Sequence, residues 1–275
     1  MLPLLKFSET EIMAFALIFL RVSAFTFVWP VFSIYNVPAH VKVLFSLILA
    51  VLMFPLISRA DFNIQTLGDD VVWLAAKEVL TGLCLGFMTR LFFFAVSVGG
   101  NLIATSSGLA NGQLFNPALD APATTIEQFY AILATLLYLA LDGHHIFLTG
   151  LAESFQVLPV GNSASFSPAV TGTEFASPLE QMLGRFKDSG VIVQLVVEAG
   201  IKISAPVLLA MFLLNVVMGI ISRAVPQVNV LMTSMSVNFM AAIMVMLLAI
   251  PALVLQLDHE IIAFAEQFFR FMKSK

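Results

Sequence analysis

The chain has 275 residues, of which 60% are hydrophobic and 11% charged, with a formal net charge of −4. A water-soluble domain carries about 25% charged residues. This composition therefore excludes an ordinary soluble globule and points to a membrane, a large apolar assembly, or both. The small net charge and the absence of a basic patch exclude nucleic acid as a partner. A single cysteine, Cys84, excludes an internal disulfide and any multi-cysteine metal centre, and in its apolar run it reads as a small buried hydrophobe.

In chain order, Ser8 to Glu11 (S-E-T-E) is a capping box, in which the serine and glutamate side chains satisfy the first backbone donors of a helix. The apolar segment 12–29 follows and stops at Pro30. No basic stretch precedes a short apolar core and no small-residue cleavage site follows one, so this segment reads as retained. A second apolar segment covers 41–57. A polar link with Arg59, Asp61, Asp69 and Asp70 leads to a long third segment, 71–98. Residues 99–125 are rich in Gly, Ala, Ser, Thr, Asn and Pro and carry one charge, Asp120. Thr124 to Glu127 (T-T-I-E) is a second capping box and opens a fourth segment, 126–148. The stretch 161–177 reads as a loop, and Ser177-Pro178-Leu179-Glu180 opens a short amphipathic helix to Lys187. Two more apolar helices, 191–222 and 230–257, are joined by a polar turn, R-A-V-P-Q-V-N. The tail is amphipathic with a basic end. The fold class is all-α and membrane-associated.

Six segments reach the roughly 20 residues that a bilayer span needs. Several carry charges that would cost roughly 2.5–3.5 kcal/mol each at a helix centre. The third holds Lys77, Glu78 and Arg90; the fourth holds Asp142, His144 and His145; the fifth holds Glu198 and Lys202, spaced i,i+4 so that they pair on one face. Hydrophobic yet charged helices favour packing against other subunits over lipid. If all six segments cross, Lys6, Arg59, Arg185, Lys187, Arg270, Lys273 and Lys275 fall on one side and Lys42 and Arg223 on the other. The positive-inside rule then puts both termini in the cytoplasm.

Glu78, Gly82, Gly86 and Arg90 recur every four residues and form one ridge with a small-residue notch. The notch fits either helix packing within the chain or a docking groove for another subunit. Asp142-Gly143-His144-His145 fits a hydrogen-bonded structural role or a protonation role. With only His40 and His259 besides, and no second His/Cys cluster, no metal site is expected. Met232, Met235, Met240, Met244 and Met246 enrich the last apolar helix and suit irregular packing or the lining of a conduit. No nucleophile–base–orienter set, P-loop or dinucleotide fingerprint occurs, so no enzymatic activity and no cofactor is expected.

The stretch 99–125 admits three readings: an inert connector, a ligand site, or a re-entrant element that lines or blocks a pathway. Long loops are often functional, and non-helical backbone in so apolar a chain must reach water or be buried against protein. Gly108 and Gly112 permit tight turns. Thr105, Ser107 and Ala110 are small; Asn111, Gln113 and Asn116 can satisfy freed backbone groups without a permanent charge; Pro117 and Pro122 stiffen the return. This chemistry favours the re-entrant reading.

The stretches GLANGQLFNPALDAP, DGHHIFLTGLAESFQVLPVG and ISRAVPQVNV resemble the three signature stretches of the FliR family, whose counterpart in virulence-type injectisomes is SctT. The resemblance covers essentially the whole chain. It implies a non-enzymatic subunit of the flagellar type III export gate, assembled with FliP and FliQ into a conical helical channel. FlhB would wrap the gate and an FlhA ring would lie below, with unfolded flagellar substrates passing through. The implied setting is the bacterial inner membrane at the flagellar basal body, much of the chain lying above the lipid core. The implied architecture is a FliP-like part over 1–190, a FliQ-like hairpin over 191–257 and a tail over 258–275. The family's channel plug maps onto Ser106, Ser107, Gly108, Leu109, Ala110, Asn111, Gly112, Gln113, Leu114, Phe115, Asn116, Pro117 and Asp120. The hairpin tip, with Arg223, Pro226, Gln227 and Asn229, would face the cytoplasm, opposite to the charge tally. The family arrangement takes precedence, because that tally assumes each segment crosses lipid independently. The rival from another class is a proton-coupled secondary transporter using Asp142, His144, Glu198 and Lys202.

Overall fold

The structure, a computed structural model, describes residues 9–33, 37–56, 71–108, 125–160, 189–225 and 230–273, and among them every regular element is a helix. The elements are α1 (Glu9–Val28), α2 (Pro30–Ser33), α3 (Ala39–Met53, followed by a 3-10 turn Phe54–Leu56), α4 (Val71–Ser106), α5 (Thr125–Ala140), α6 (Gly143–Val157), α7 (Ser189–Ala224) and α8 (Val230–Lys273). The protein is all-α, as the composition implies. The short helix expected to end at Lys187 lies outside the described residues.

Helix bounds differ from the expected ones at four places. Segment 41–57 yields a helix of only 15 residues, closed by the 3-10 turn around Pro55; at 1.5 Å per residue it is too short to cross about 30 Å of hydrocarbon. Segment 126–148 breaks after Ala140 and resumes at Gly143. Four described helices are long and apolar enough to cross a membrane, or up to five if α5 and α6 are counted as one span. Helix α4 continues to Ser106 instead of stopping at Val98. Helix α8 runs unbroken past Pro251 to Lys273, so residues 258–273 are helical and continuous with it.

The chain divides into two compact units. The first comprises Met1–Arg90, His144–Gly190 and Phe264–Lys275; the second comprises Leu91–Gly143 and Val191–Ala263. In the first, α1 buries Leu17, Ile18, Arg21, Val22 and Phe25, a stripe at helical spacing. Helix α3 packs on α1 through Ser46, Ala50 and Met53, and leaves Leu44, Ile48 and Leu52 exposed. Trp29, Phe32 and Phe45 stack beside this contact, with Phe32 and Phe45 centroids 4.9 Å apart. The notch on α4 is filled by α1: a Cβ on Gly82 would overlap the Arg21 carbonyl oxygen, and one on Gly86 would sit 2.9 Å from the Phe25 carbonyl oxygen and from Val28 Cβ. Gly150 likewise yields space to the ring of Phe268.

In the second unit, Gly99 and Gly100 do not break α4, because each marks a close contact. A Cβ on Gly99 would lie 3.0 Å from the carbonyl oxygen of Gly200, and one on Gly100 would lie 3.0 Å from Glu127 Cα. Small residues let helices approach where no hydrophobic drive separates protein from lipid. Tyr138 closes this unit against Phe92 and Phe93.

These contacts make glycine substitutions selective. Gly82→Ala meets backbone and is expected to cost about 1–3 kcal/mol. Gly219→Ala meets nothing within 4 Å and gains helix propensity. Thermal unfolding of the two variants in detergent should show a lowered midpoint for the first and an unchanged or raised one for the second.

Candidate functional site

The most densely bonded polar centre is built on Arg21, whose side chain and that of Glu78 are both 0% exposed. Arg21 lies on α1, midway along an apolar segment. Its Nε donates to Glu78 Oε2 on α4 at 2.5 Å. Its Nη1 donates to the carbonyl and hydroxyl oxygens of Ser154, at 3.1 and 3.3 Å, and Nη2 donates to the carbonyl of Leu158 at 2.9 Å. Cζ stands 4.3 Å from the centroid of Phe155. One guanidinium therefore neutralises Glu78 and caps the C-terminal end of α6, where free carbonyls and the helix dipole favour a cation. Glu78 Oε1 is buried without a hydrogen-bond partner among the described residues. Of the sequence-derived ridge, Glu78, Gly82 and Gly86 all face α1, whereas Arg90 is exposed.

A second polar centre stands at the foot of the 99–125 stretch. Ser97 Oγ donates to the carboxylate of Glu127 in the first turn of α5. Helix α4 ends in three hydroxyls that bond back to its own carbonyls: Thr105 to Asn101 and Leu102, Ser106 to Ile103 and Ser107 to Ala104, each at 3.0 Å. Gly108 closes the helix with φ 75°, the left-handed conformation that glycine adopts without steric cost. Ser106 is thus the last helical residue, and Ser107 and Gly108 form the turn. Leu109, Ala110, Asn111, Gly112, Gln113, Leu114, Phe115, Asn116, Pro117 and Asp120 lie outside the described residues, as do Pro226, Gln227 and Asn229 at the hairpin tip.

The run 142–145 starts in the break between α5 and α6, at Asp142, and continues into the first turn of α6. Asp142 has φ 56°, an uncommon value for a non-glycine residue, and a Cβ on Gly143 would press into the ring of Tyr138. The rings of His144 and His145 are 4.2 Å apart. Adjacency along this run brings one ligand-type atom from each of Asp142, His144 and His145 within 4.8 Å of one another. Asp142 and His145 are exposed, His144 is half-buried and Gly143 is buried, and His144 Nδ1 is buried without a hydrogen-bond partner among the described residues.

On the hairpin, Lys202 Nζ pairs with Glu198 Oε1 at 2.8 Å and with Glu260 Oε1 at 3.8 Å. Gln256 Nε2 donates to Glu260 at 2.7 Å. Higher on the hairpin, Asn238 Nδ2 donates to Asn215 Oδ1 at 2.9 Å. Arg223 is exposed in the last turn of α7.

Sequence reasoning missed Arg21, Ser97, Asn215, Asn238 and Glu260. Arg21 and Glu260 had a usable signal: an ionisable residue in an apolar helix needs a named partner. Ser97, Asn215 and Asn238 had none, because their bonds join helices far apart in the sequence.

These features define a helical membrane protein with four or five helices long and apolar enough to cross a membrane, whose polar side chains, among the described residues, hold helices together. The profile of the family described as "Bacterial export proteins, family 1" matches residues 12–263, and the chain belongs to that family. It is similar to the flagellar biosynthetic protein FliR of Aquifex aeolicus, 27% identical over 267 residues covering 97% of this chain and 96% of that one. It is also similar to FliR of Bacillus subtilis, 29% identical over 240 residues covering 87% of each. A third relative is the secretion system apparatus protein SsaT of Salmonella typhimurium, 23% identical over 209 residues covering 75% of this chain and 73% of that one. The chain is a membrane component of a type III export apparatus, a class that is not enzymatic.

The Arg21 centre yields a graded expectation. Arg21→Ala strands a buried carboxylate and should cost about 3–5 kcal/mol. Glu78→Gln leaves the Ser154, Leu158 and Phe155 contacts in place and should cost less. The order of unfolding midpoints in detergent, Arg21→Ala below Glu78→Gln below the unsubstituted chain, checks the assignment.

Proposed function

We propose that this chain is a non-enzymatic subunit of the flagellar type III export gate, forming a protein-conducting channel with FliP and FliQ and closing it with residues 106–120. FlhB and FlhA are the further partners on this reading, unfolded flagellar substrates are the cargo, and the setting is the inner membrane at the basal body. The FliP-like part spans 1–190, with the FliQ-like hairpin over 191–257 and the tail over 258–275.

The observation that carries the plug assignment is the paired foot of the segment. Ser97 and Glu127 are hydrogen-bonded, and Gly100 lets α5 approach α4 closely. Chain leaving α4 after Ser106 therefore rejoins the flank of the same helix near Ser97 and Gly100, about 9–14 Å along it from the point of departure. Between these feet the sequence carries one charge, Asp120. A seal that opens repeatedly is served by fit and weak contacts, and a segment with so few charges suits that task.

A proton-coupled secondary transporter is the second reading, supported by the Lys202–Glu198–Glu260 network in an apolar hairpin. It requires the chain to work alone. Uptake of a small solute by the purified monomer, driven by a pH gradient, would favour it over the channel subunit.

Deletion of residues 106–120 should leave copurification with FliP and FliQ intact and make the membrane leak ions. Unchanged permeability in an assembled complex would sink the plug assignment.

A further inference from the structure

Five residues on α4 carry a hydroxyl: Thr81, Thr89, Ser97, Thr105 and Ser106. Four of them donate to carbonyls of their own helix: Thr81 to Lys77, Thr89 to Gly86, Thr105 to Asn101 and Leu102, and Ser106 to Ile103. That is the ordinary way for a hydroxyl to be satisfied within a helix. Ser97 is the exception. It donates to the Glu127 carboxylate on α5, and a bond to an ionised acceptor is stronger than one between neutral groups. The dipole of α5 already favours a carboxylate in its first turn, and a helical serine can bond its own carbonyls. Neither group needs the other to be satisfied, yet the bond between them fixes one helix on the other.

The same level carries a close approach of the two helices. A Cβ on Gly100 would lie 3.0 Å from Glu127 Cα and 3.5 Å from Tyr130 Cβ. Along α5, Ile126, Tyr130, Ala134 and Tyr138 recur at every fourth position and are all buried. Tyr138 meets Phe92 and Phe93 of α4. Helix α5 is therefore held against α4 at two levels. One is the aromatic contact of Tyr138. The other joins Ser97 and Gly100 to Glu127, in the first turn of α5 and directly after the stretch that separates the two helices.

We propose that Ser97, Gly100 and Glu127 form a clamp that positions the first turn of α5 for closure of the channel. They are positioning residues, acting through the stretch between α4 and α5. This role rests on the reading that the stretch closes the channel, and adds what sets its place. The α4 end is fixed by Ser107, 1% exposed, and by Gly108, whose left-handed conformation caps the helix. A tethered segment meets its seat at an effective concentration set by where its ends stand. With the α4 end fixed, the clamp decides where the other end stands. Opening the clamp displaces that end and shifts the balance between closed and open channel, while the contacts that assemble the subunits stay in place.

The test uses the full chain assembled with FliP and FliQ in native membranes and reads ion permeability per assembled complex. Gly99 and Gly100 supply a matched pair. A Cβ on either would stand 3.0 Å from backbone, at the Gly200 carbonyl oxygen on α7 for Gly99 and at Glu127 Cα on α5 for Gly100. Gly100→Leu should raise permeability, whereas Gly99→Leu should lower the amount of complex and leave permeability per complex unchanged. Ser97→Ala should raise permeability roughly two- to tenfold, the range that one lost hydrogen bond allows. Ser97→Thr keeps the hydroxyl and should keep the channel closed. Equal permeability in the two glycine variants overturns the clamp, because general loosening of the helices then accounts for both. Equal permeability in the two serine variants overturns it as well. Should Gly100→Leu fail to assemble, the serine pair decides alone. Deletion of residues 106–120 is the reference that separates the two readings. A deletion that leaks beside a Gly100→Leu that does not overturns the clamp alone. A deletion that does not leak overturns the plug reading itself, and with it the role of the clamp.

Discussion

A guanidinium with no contact to water must find every one of its partners in protein. Arg21 is such a group, and the first compact unit is arranged around that requirement. Its bonds reach Glu78 on α4 and the carbonyls of Ser154 and Leu158 at the end of α6, and its face rests on Phe155. Each partner comes from a stretch far away in the sequence. Together they offset the desolvation of a buried charge, through counter-charge and hydrogen bonds both. A lysine would supply the charge without the planar fork that reaches several acceptors at once.

The arginine can reach its partners only because the helices around it are close. Gly82 stands one turn from Glu78 on the same ridge, and its missing side chain is the space that the Arg21 carbonyl occupies. Electrostatics and packing are therefore one device, with the small residue setting the distance across which the ion pair forms. The second unit repeats the logic with neutral groups. Gly99, Gly100 and Gly200 bring α4 against α5 and α7, and Ser97 meets Glu127 within the same contact. The hydroxyls of Thr81, Thr89, Ser204 and others bond to carbonyls of their own helices, so they add no unpaired donor to an apolar setting.

Much of this architecture is legible in the sequence, because long apolar segments leave few alternatives to helices. The Glu78–Gly82–Gly86 spacing reads directly as a packing ridge. What the spacing alone leaves open is its partner, since that partner is a backbone stretch of α1 some 60 residues earlier, close in space only after folding. The third segment is misjudged at its end for a related reason. Gly99-Gly100 looks like a helix stop by local propensity, yet tertiary contact turns both glycines into packing positions and α4 runs on to Ser106. The reverse holds at Asp142. The apolar residues around it argue for one continuous helix, and the break appears because Asp142 takes a left-handed conformation before Gly143. Arg21 was hidden by its surroundings: one cation in an apolar run is easily passed over when the segment as a whole satisfies a hydropathy test.

The long helices differ in how much of their surface the chain itself covers, and this bears on how the chain works. In the best window of α4, 56% of the residues are buried within the chain, against 28% in α7 and 22% in α8. The hairpin therefore leaves most of its apolar surface to be covered from outside. Lipid alone would cover it adequately if it were uniformly apolar, but polar groups interrupt it at two levels, Glu198–Lys202–Glu260 and Asn215–Asn238. A surface that is apolar over most of its area and polar at fixed heights has the properties of a helix–helix interface in a membrane, where packing supplies contact and polar groups supply position. The burial pattern thus separates two tasks within one chain. The helices joined by Arg21 are fixed by contacts that the chain makes with itself, while the hairpin presents an apolar surface crossed by polar groups at two levels.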